Sequence, residues 1–495
     1  MLLLELLSAI PSGRIFAGDR DISGVRVEGL TADSRKVEPG WMFVAIPGTG
    51  VDGHDYIDRA IASGATAIVC SRMPELPEQR AVWVKVDDTS QAMGLLACRW
   101  YGNPSRQLTL VGVTGTNGKT TVATLLYNAY SNRGIKAGLL STVENRICDT
   151  VVPSTHTTGD AMEINALLRR MVDSGCRFAA MEVSSHGADQ NRIAGLQFDG
   201  AIFTNLTRDH LDYHKTVDAY IRAKKKFFDN LPEGAFALVN DDDSHGRVMV
   251  QNTRAKVYGY SLRTLDDFSC RVLESRLDST VMTINRTELT TRFTGRFNAY
   301  NLTAVFGALV LLGASEAESA VEISALHPVC GRFETRTSAD GVTAIIDYAH
   351  TPDALANVLE AILSVSPQAR IITVTGAGGN RDHGKRPQMG AEAASRSARL
   401  IITSDNPRDE DPRAIARDIE AGASAYADRC AITTIIDRAE AIATAIAQAA
   451  PGDVVLVAGK GHETYQVSAG GHTVHFDDHE HVERALAARE SGIRN

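Results

Sequence analysis

"LTLVGVTGTNGKTTVATLLYNAYSNRG" (108–134) joins two kinds of local structure through a short turn. The run LTLVGVTG has the composition of a buried strand, and KTTVATLLYNAYSNRG that of a helix. Between them Gly115 and Gly118 make a Gly-x-x-Gly-Lys-Thr turn. Successive backbone amides in such a turn can cradle phosphate oxygens, the helix dipole favours negative charge, and Lys119 adds a full positive charge. Thr120 is placed to offer its hydroxyl to Mg²⁺. The strict G-x-x-x-x-G-K-[ST] pattern fails, because Val113 stands where the first glycine belongs. A Gly-rich connection with no ligand is the alternative. Lys119 with Thr120 and Thr121 in register favours a nucleotide, held by Gly115, Thr116, Asn117 and Gly118.

Outward from this turn, strand and helix alternate through FAAMEVSS, DGAIFTNL and GAFALVN, the signature of a doubly wound parallel sheet. RVLESRLDSTVMTINRTELTTRF alternates more strictly and predicts antiparallel strands added to it, followed by a helix over NAYNLTAVFGALVLLG. HPVCGRFE (327–334) reads as a hinge. Beyond it TAIIDYAH, RIITVTGAGG, RLIITSDNPR, AITTIID and DVVLVAGKGHE repeat the strand pattern, each strand ending in polar or Gly-rich residues as a binding crevice requires. Before it, the first hundred residues hold short strands with one helical segment, YIDRAIASG, between them, and end near YGNPSRQ. GAGGNRDHGKR (376–386) imitates a dinucleotide fingerprint but has Arg381 in place of the third glycine, so it reads as a backbone-rich ligand loop.

At 495 residues the chain is too long for one core, and three domains is the natural division. The boundaries fall at 1–107, 108–332 and 333–495. The expected class is α/β, with a central doubly wound P-loop ATPase-like domain and a Rossmann-like C-terminal domain. A net charge of −9 argues against duplex nucleic acid as main partner, so an anionic ligand needs its own basic pocket. Seven cysteines, odd in number and without a Cys-x-x-Cys pair, suit reduced thiols in a cytoplasm better than a disulfide framework or zinc cluster. MLLLELLSAIPSGR carries Glu5 and no basic n-region, which predicts a packed helix and no signal peptide. No apolar run reaches membrane-spanning length.

With GTNGKTT, MEVSSHG, TNLTRDHLDYH, GRFNAYNLTAV and IIDYAHTPDAL in this order, the chain resembles the Mur ligases, ATP-dependent amide-forming enzymes of peptidoglycan precursor synthesis. TADSRKVEPG near the start, and SDNPRDEDP and AGKGHE near the end, are similar to the members that add meso-diaminopimelate to UDP-N-acetylmuramoyl-L-alanyl-D-glutamate. The resemblance covers essentially the whole chain. It implies a UDP-sugar-binding N-terminal domain, a central ATP-binding domain and a C-terminal domain for the incoming amino acid. It also implies a cytoplasmic enzyme, acting as a monomer, that activates the glutamyl carboxylate as an acyl phosphate.

What the resemblance implies residue by residue follows from the matched motifs. Ser34, Thr49, Gly50 and Val51 would meet the uridine and its phosphates; His156, Thr157, Thr158, Ser184, Gln190 and Arg192 would surround the muramoyl dipeptide. Lys119, Thr120, Glu182 and His210 would serve the phosphates and Mg²⁺. Asn298 and Asn301 would contact adenine, Asp347 the ribose, and Arg332 the phosphates on domain closure. In IRAKKKFF (221–228) successive helical residues point about 100° apart, so three lysines cannot share one site. A solvated basic face is the plain reading; the resemblance implies a carbamylated Lys224 beside a second Mg²⁺.

Asp405, Asn406, Pro407 and Arg408, with Arg386, Gly459 and Glu463, match positions around diaminopimelate. Pro407 ends the strand before it. Arg408 is the discriminating residue, because a guanidinium pairs bidentately with the second carboxylate that lysine lacks. The plain reading of Arg408 is a surface pair with Asp409 or Glu410. The alternatives in function are a lysine-adding ligase of the same family, a folylpolyglutamate synthetase-like ligase, or a nucleotide-binding regulator without ligase activity.

Overall fold

The strand Thr109–Thr114 lies between Phe178–Glu182 and Gly200–Phe203 and runs parallel to both. The computed structural model describes all residues except Thr49, Leu76, Thr155, Arg208, His210, Arg494 and Asn495, and only the backbone of Leu211, Asp212, Gly492 and Ile493. Thr109–Thr114 has no polar face because both faces are covered. Val111 and Val113 pack with Val122, Leu125 and Leu126 of the helix Lys119–Asn132, while Leu110 points into a second core with Leu168 and Phe227.

Around this strand the described residues form an eleven-stranded sheet. Its parallel centre runs from Phe268–Ser275 through Lys256–Ser261, Phe236–Asn240, Gly200–Phe203, Thr109–Thr114 and Phe178–Glu182 to Ala137–Leu140. The predicted antiparallel extension is present as Phe268–Ser275, Thr280–Ile284 and Thr287–Thr291. The opposite edge carries a hairpin, Asn145–Ile147 with Thr150–Val152, that the pattern did not announce. Its strands are three residues each and its turn is made at Cys148, whose φ is 50°, so neither periodicity nor a Gly signal marks it. The helix Arg296–Leu311 is buried along nearly its whole length against the same core.

The first region folds as a five-stranded sheet, with Val82–Lys85, Ala67–Cys70, Trp41–Val44 and Gly29–Thr31 parallel and Arg14–Phe16 antiparallel at the edge. The expected N-terminal helix is Leu3–Leu7, which buries Leu3, Leu6 and Leu7. The third region is a six-stranded sheet in the order Glu334–Thr337, Thr343–Asp347, Val454–Ala458, Ile371–Thr375, Arg399–Ile402, Ala431–Thr434. All but the first strand are parallel. Only the last residue of the segment read as a hinge therefore differs from expectation: Glu334 opens an edge strand. ETRT has one paired side and exposed positions, so it lacks the apolar run that reveals central strands. Among the described residues no helix is long and apolar enough to cross a membrane.

This topology places loops. In the central sheet the chain leaves Thr109–Thr114 with one neighbour on each side, so the loops after the three adjacent strands open a crevice at their carboxyl ends. In the third sheet the strands ending at Asp347, Thr375, Ile402 and Ala458 bring the motif loops to one edge. A buried ion pair braces that edge: the Arg438 guanidinium donates to both Asp478 carboxylate oxygens at 2.7 Å and to the Ala458 carbonyl at 3.1 Å. Asp478→Ala would strand a buried guanidinium, so a loss of about 3–5 kcal/mol is expected. Denaturant unfolding of the full chain measures it; a change under about 0.5 kcal/mol, as at indifferent surface sites, would contradict this bracing role.

Candidate functional site

The phosphate turn is built to leave charge unsatisfied. Gly118 caps the helix Lys119–Asn132 with φ 87° and no side-chain cap, so the helix N-terminal amides keep their capacity for an anion. A Cβ on Gly118 would stand 2.5 Å from Asn301 Oδ1, so only glycine admits this close approach. Asn205 shapes the turn from the next strand: its Oδ1 accepts from the Asn117 amide at 2.9 Å and its carbonyl from the Thr116 amide at 2.8 Å.

Two lysines converge on one carbonyl. Lys119 Nζ donates to the carbonyls of Gly115 at 3.0 Å and Thr116 at 2.9 Å, and Lys224 Nζ donates to Gly115 at 2.7 Å. Burial pushes both ammonium groups below the ordinary lysine pKa, and for Lys224 the charge of Lys119 pushes further the same way. Lys224 is buried on the apolar stripe Tyr220, Ala223, Phe227, Phe228 of the helix Val217–Asp229. Lys225 instead pairs with Asp229 at 2.5 Å, and Lys226 reaches the Asp189 carbonyl at 3.3 Å. The three lysines thus separate as the helical period requires, and the apolar spacing could have picked out Lys224.

Glu182 ends the neighbouring strand, opposite Val113, fully buried. Its carboxylate accepts from the Thr142 amide at 2.8 Å and the Thr142 hydroxyl at 3.2 Å. Those bonds leave lone pairs for a cation. With Thr120 it supplies hard oxygen donors of the kind Mg²⁺ takes alongside substrate phosphates. Thr142, which the motifs did not single out, also links to Thr157 at 3.0 Å. His210 lies outside the described residues.

The hinge and the third region already touch this turn. Arg332 Nη2 donates to Thr120 Oγ1 at 3.3 Å, and its guanidinium lies 4.5 Å from the Tyr348 ring centre. Asn117 Nδ2 donates to Asp353 at 3.1 Å. Asn298 and Asn301 are buried and bonded to each other at 3.3 Å beside the turn. Asp347 is committed to backbone: its oxygens accept from Phe333 and Ala349 amides, each at 2.7 Å. Burial raises its pKa, with Arg332 opposing.

A cleft of about 1620 Å³ runs between the first and central regions, lined by Ser34 and Val51 on one side and His156, Gln190 and Arg192 on the other. Gly50 is exposed beside Val51, and Thr49 lies outside the described residues. Arg192 is held in place by the Thr158 carbonyl at 2.6 Å and Gln190 Oε1 at 2.7 Å. Thr158 and Ser184 have local bonds: Thr158 Oγ1 donates to the Glu182 carbonyl, and Ser184 Oγ caps the helix Ser185–Asp189.

At the edge of the third sheet, Asp405 and Asn406 are buried, and Asn406 donates to Glu463 at 2.8 Å. Lys460, which the sequence reading passed over, is fully buried between them, donating to Glu463 at 3.1 Å and Asn406 at 3.3 Å. Its signal was a lysine inside a Gly-x-Gly turn after a buried strand. A Cβ on Gly459 (φ 123°) would lie 2.9 Å from Asp405 Oδ2. Pro407 is buried, and Arg408 follows with φ 50°. Arg408 pairs with neither Asp409 nor Glu410: its Nη1 donates to the Gly379 carbonyl at 2.9 Å, on the 376–386 loop. Arg386, fully buried, has its guanidinium on Glu410 at 2.8 Å and Asp418 at 2.9 Å, because a buried charge needs counter-charges.

Three family models match in order: the Mur ligase family catalytic domain over 26–101, the Mur ligase middle domain over 113–309 and the Mur ligase glutamate ligase domain over 331–461. A Bacteroides thetaiotaomicron protein named UDP-N-acetylmuramoyl-L-alanyl-D-glutamate--2,6-diaminopimelate ligase is 55% identical over 97% of this chain and 98% of its own. The chain belongs to the Mur ligase family. Family members are ATP-dependent ligases, and this chain is one. A solved structure of a UDP-N-acetylmuramoyl-L-alanyl-D-glutamate--2,6-diaminopimelate ligase superposes with TM-score 0.68 at 31% identity, covering 98% of this chain and 99% of that one. The MurF ligase of Thermotoga maritima in complex with ADP shares the fold at TM-score 0.61 and 20% identity, covering 95% and 99%.

Gly118→Ala tests the turn directly. The added Cβ and the left-handed φ together are expected to weaken binding of a fluorescent ADP analogue at least about tenfold. Unaltered affinity would show that the nucleotide is held elsewhere.

Proposed function

We propose that this ligase adds meso-diaminopimelate to the glutamyl carboxylate of UDP-N-acetylmuramoyl-L-alanyl-D-glutamate, with ATP and Mg²⁺. The observation that carries the reading is Arg408, turned away from its acidic neighbours and toward the glycine loop at the sheet edge. The similarity to diaminopimelate ligases over nearly the whole chain supports it. We assign the sugar nucleotide to 1–107, ATP to 108–332 and the amino acid to 333–495. We assign the ligase as a monomer, and its substrates are those of a cytoplasmic enzyme.

The chemistry follows from the charges. A glutamyl carboxylate oxygen attacks the γ-phosphorus of ATP, the bond to the bridging oxygen breaks, and ADP leaves. Lys119 and the helix amides stabilise charge on the transferring group, where positioning and cations do most of the work. The diaminopimelate amine, once neutral, then attacks the acyl phosphate carbon. The tetrahedral intermediate expels phosphate, which carries away one carboxylate oxygen. Thr120, Glu182 and a carbamylated Lys224 are the groups that would hold magnesium, with His210 completing the set. When bound, the metal neutralises phosphate oxygens. Arg332, already on Thr120, brings the third region over the phosphates and helps exclude water from the acyl phosphate.

At the amino-acid end, Asp405, Asn406 and Glu463 face an ammonium, while Arg408 takes the distal carboxylate. Removing a charged partner of a buried carboxylate costs about 2–5 kcal/mol. Arg408→Ala should therefore lower kcat/KM for diaminopimelate about thirtyfold or more, leaving KM for ATP within about twofold. Equal use of lysine and diaminopimelate by the unaltered enzyme in an ADP-release assay would sink this assignment.

Lys224 gives a pH dependence of defined sign. Carbamate forms from the neutral amine, and burial lowers the folded pKa below that of a free lysine. The reactive form is therefore present above that lowered pKa and lost as pH falls through it. Enzyme in ¹³C-bicarbonate should show a carbamate carbon resonance that fades on acidification and is missing from Lys224→Arg. A spectrum identical for the two proteins would rule the modification out.

A further inference from the structure

Outside the ligation site, three side chains with metal-ligating atoms converge where the central region meets the third. Cys330 precedes the segment Gly331–Phe333, Glu334 begins the edge strand, and His479 sits in the first turn of the helix Asp478–Ile493. Cys330 Sγ is 3.8 Å from His479 Nε2, which is 2.8 Å from Glu334 Oε2, and all three atoms lie within 4.8 Å of one another. We infer that Cys330, Glu334 and His479 form a binding site for a zinc ion, separate from the magnesium-dependent chemistry of ligation.

The donor set selects the metal class. A thiolate, an imidazole and a carboxylate suit zinc, whereas Mg²⁺ takes oxygen alone. Zinc bonds of about 2.3 Å to sulfur and about 2.0–2.2 Å to nitrogen and oxygen, set tetrahedrally, require donors roughly 3.3–3.6 Å apart. The sulfur–nitrogen distance meets this with a small contraction, and the nitrogen–oxygen pair opens once the proton between them leaves. The other face of the ring is already arranged: His479 Nδ1 is 3.0 Å from Asp477 Oδ1. An outer carboxylate of this kind fixes the tautomer that presents the Nε2 lone pair to a metal. Glu334 and His479 keep partial exposure and Cys330 is exposed, so an ion has an entry path and water a fourth position.

The place of the site gives it a consequence. Gly331 accepts from the Tyr348 amide at 2.9 Å, and Arg332 bonds Thr120 in the phosphate turn. A metal at Cys330 would tie the start of this segment to the helix Asp478–Ile493. No cysteine spacing could announce the site, because Cys330 and His479 are 149 residues apart.

Cobalt(II) is the probe, because a thiolate bond to it gives a near-ultraviolet charge-transfer band that oxygen sites cannot produce. Titrated into full-length protein in excess magnesium, one equivalent should develop that band, and equimolar zinc should bleach it. Cys330→Ser should abolish the band, and Glu334→Gln should weaken zinc binding at least tenfold in competition with a chelating dye. Circular dichroism confirms that both variants are folded. No band in the unaltered protein, or one that survives Cys330→Ser, overturns the site.

Discussion

Two lysine ammonium groups aimed at the single carbonyl of Gly115 are the constraint on which the ligation site depends. Like charges in a buried setting are tolerated where anions complete them, and here the surroundings supply few. The helix behind the turn adds its own positive end, and Gly118 leaves its amides uncapped. Such a site suits a polyphosphate at one lysine, and burial favours the neutral form of the other. The sheet provides rigidity: three adjacent parallel strands fix Gly115, Glu182 and Asn205 at their carboxyl ends.

The third region contributes a second cluster built on the opposite principle. Asp405, Asn406 and Glu463 are oxygen-rich, and Lys460 is buried among them as counter-charge. Arg408 lies at the margin of this cluster, with its backbone amide bonded to Val467 at 3.0 Å and its guanidinium on the glycine loop. An amino acid with an ammonium beside a distal carboxylate matches that sequence of charges. Arg332 of the hinge and Asp353 of the third region both bond to the phosphate turn, which ties the two regions together there.

The strongly apolar strands and the glycine-marked loops after them were legible in the sequence, because a buried parallel strand has no polar face to disguise it. Two short elements were not. Glu334–Thr337 and the hairpin ending in Thr150–Val152 each leave one side unpaired and have too few residues for a period to register. Among the residues named by motif, Gly115, Glu182, Asp347, Asp405 and Gly459 lie at or just after strand ends, and Lys224, Asn298, Asn301 and Arg386 lie on helices, while Thr142, Asn205 and Lys460 escaped. Thr142 and Asn205 act through short bonds to Glu182 and Asn117, which only the fold brings together. Arg386 shows the reverse case: matched by position, it is enclosed by Glu410 and Asp418.

The central claim is that the glutamyl carboxylate itself receives the γ-phosphoryl group. Dipeptide nucleotide labelled with ¹⁸O in that carboxylate, turned over with ATP and diaminopimelate, tests it by mass analysis of the released phosphate. One labelled oxygen per phosphate is the predicted result, and phosphate free of label would contradict the account.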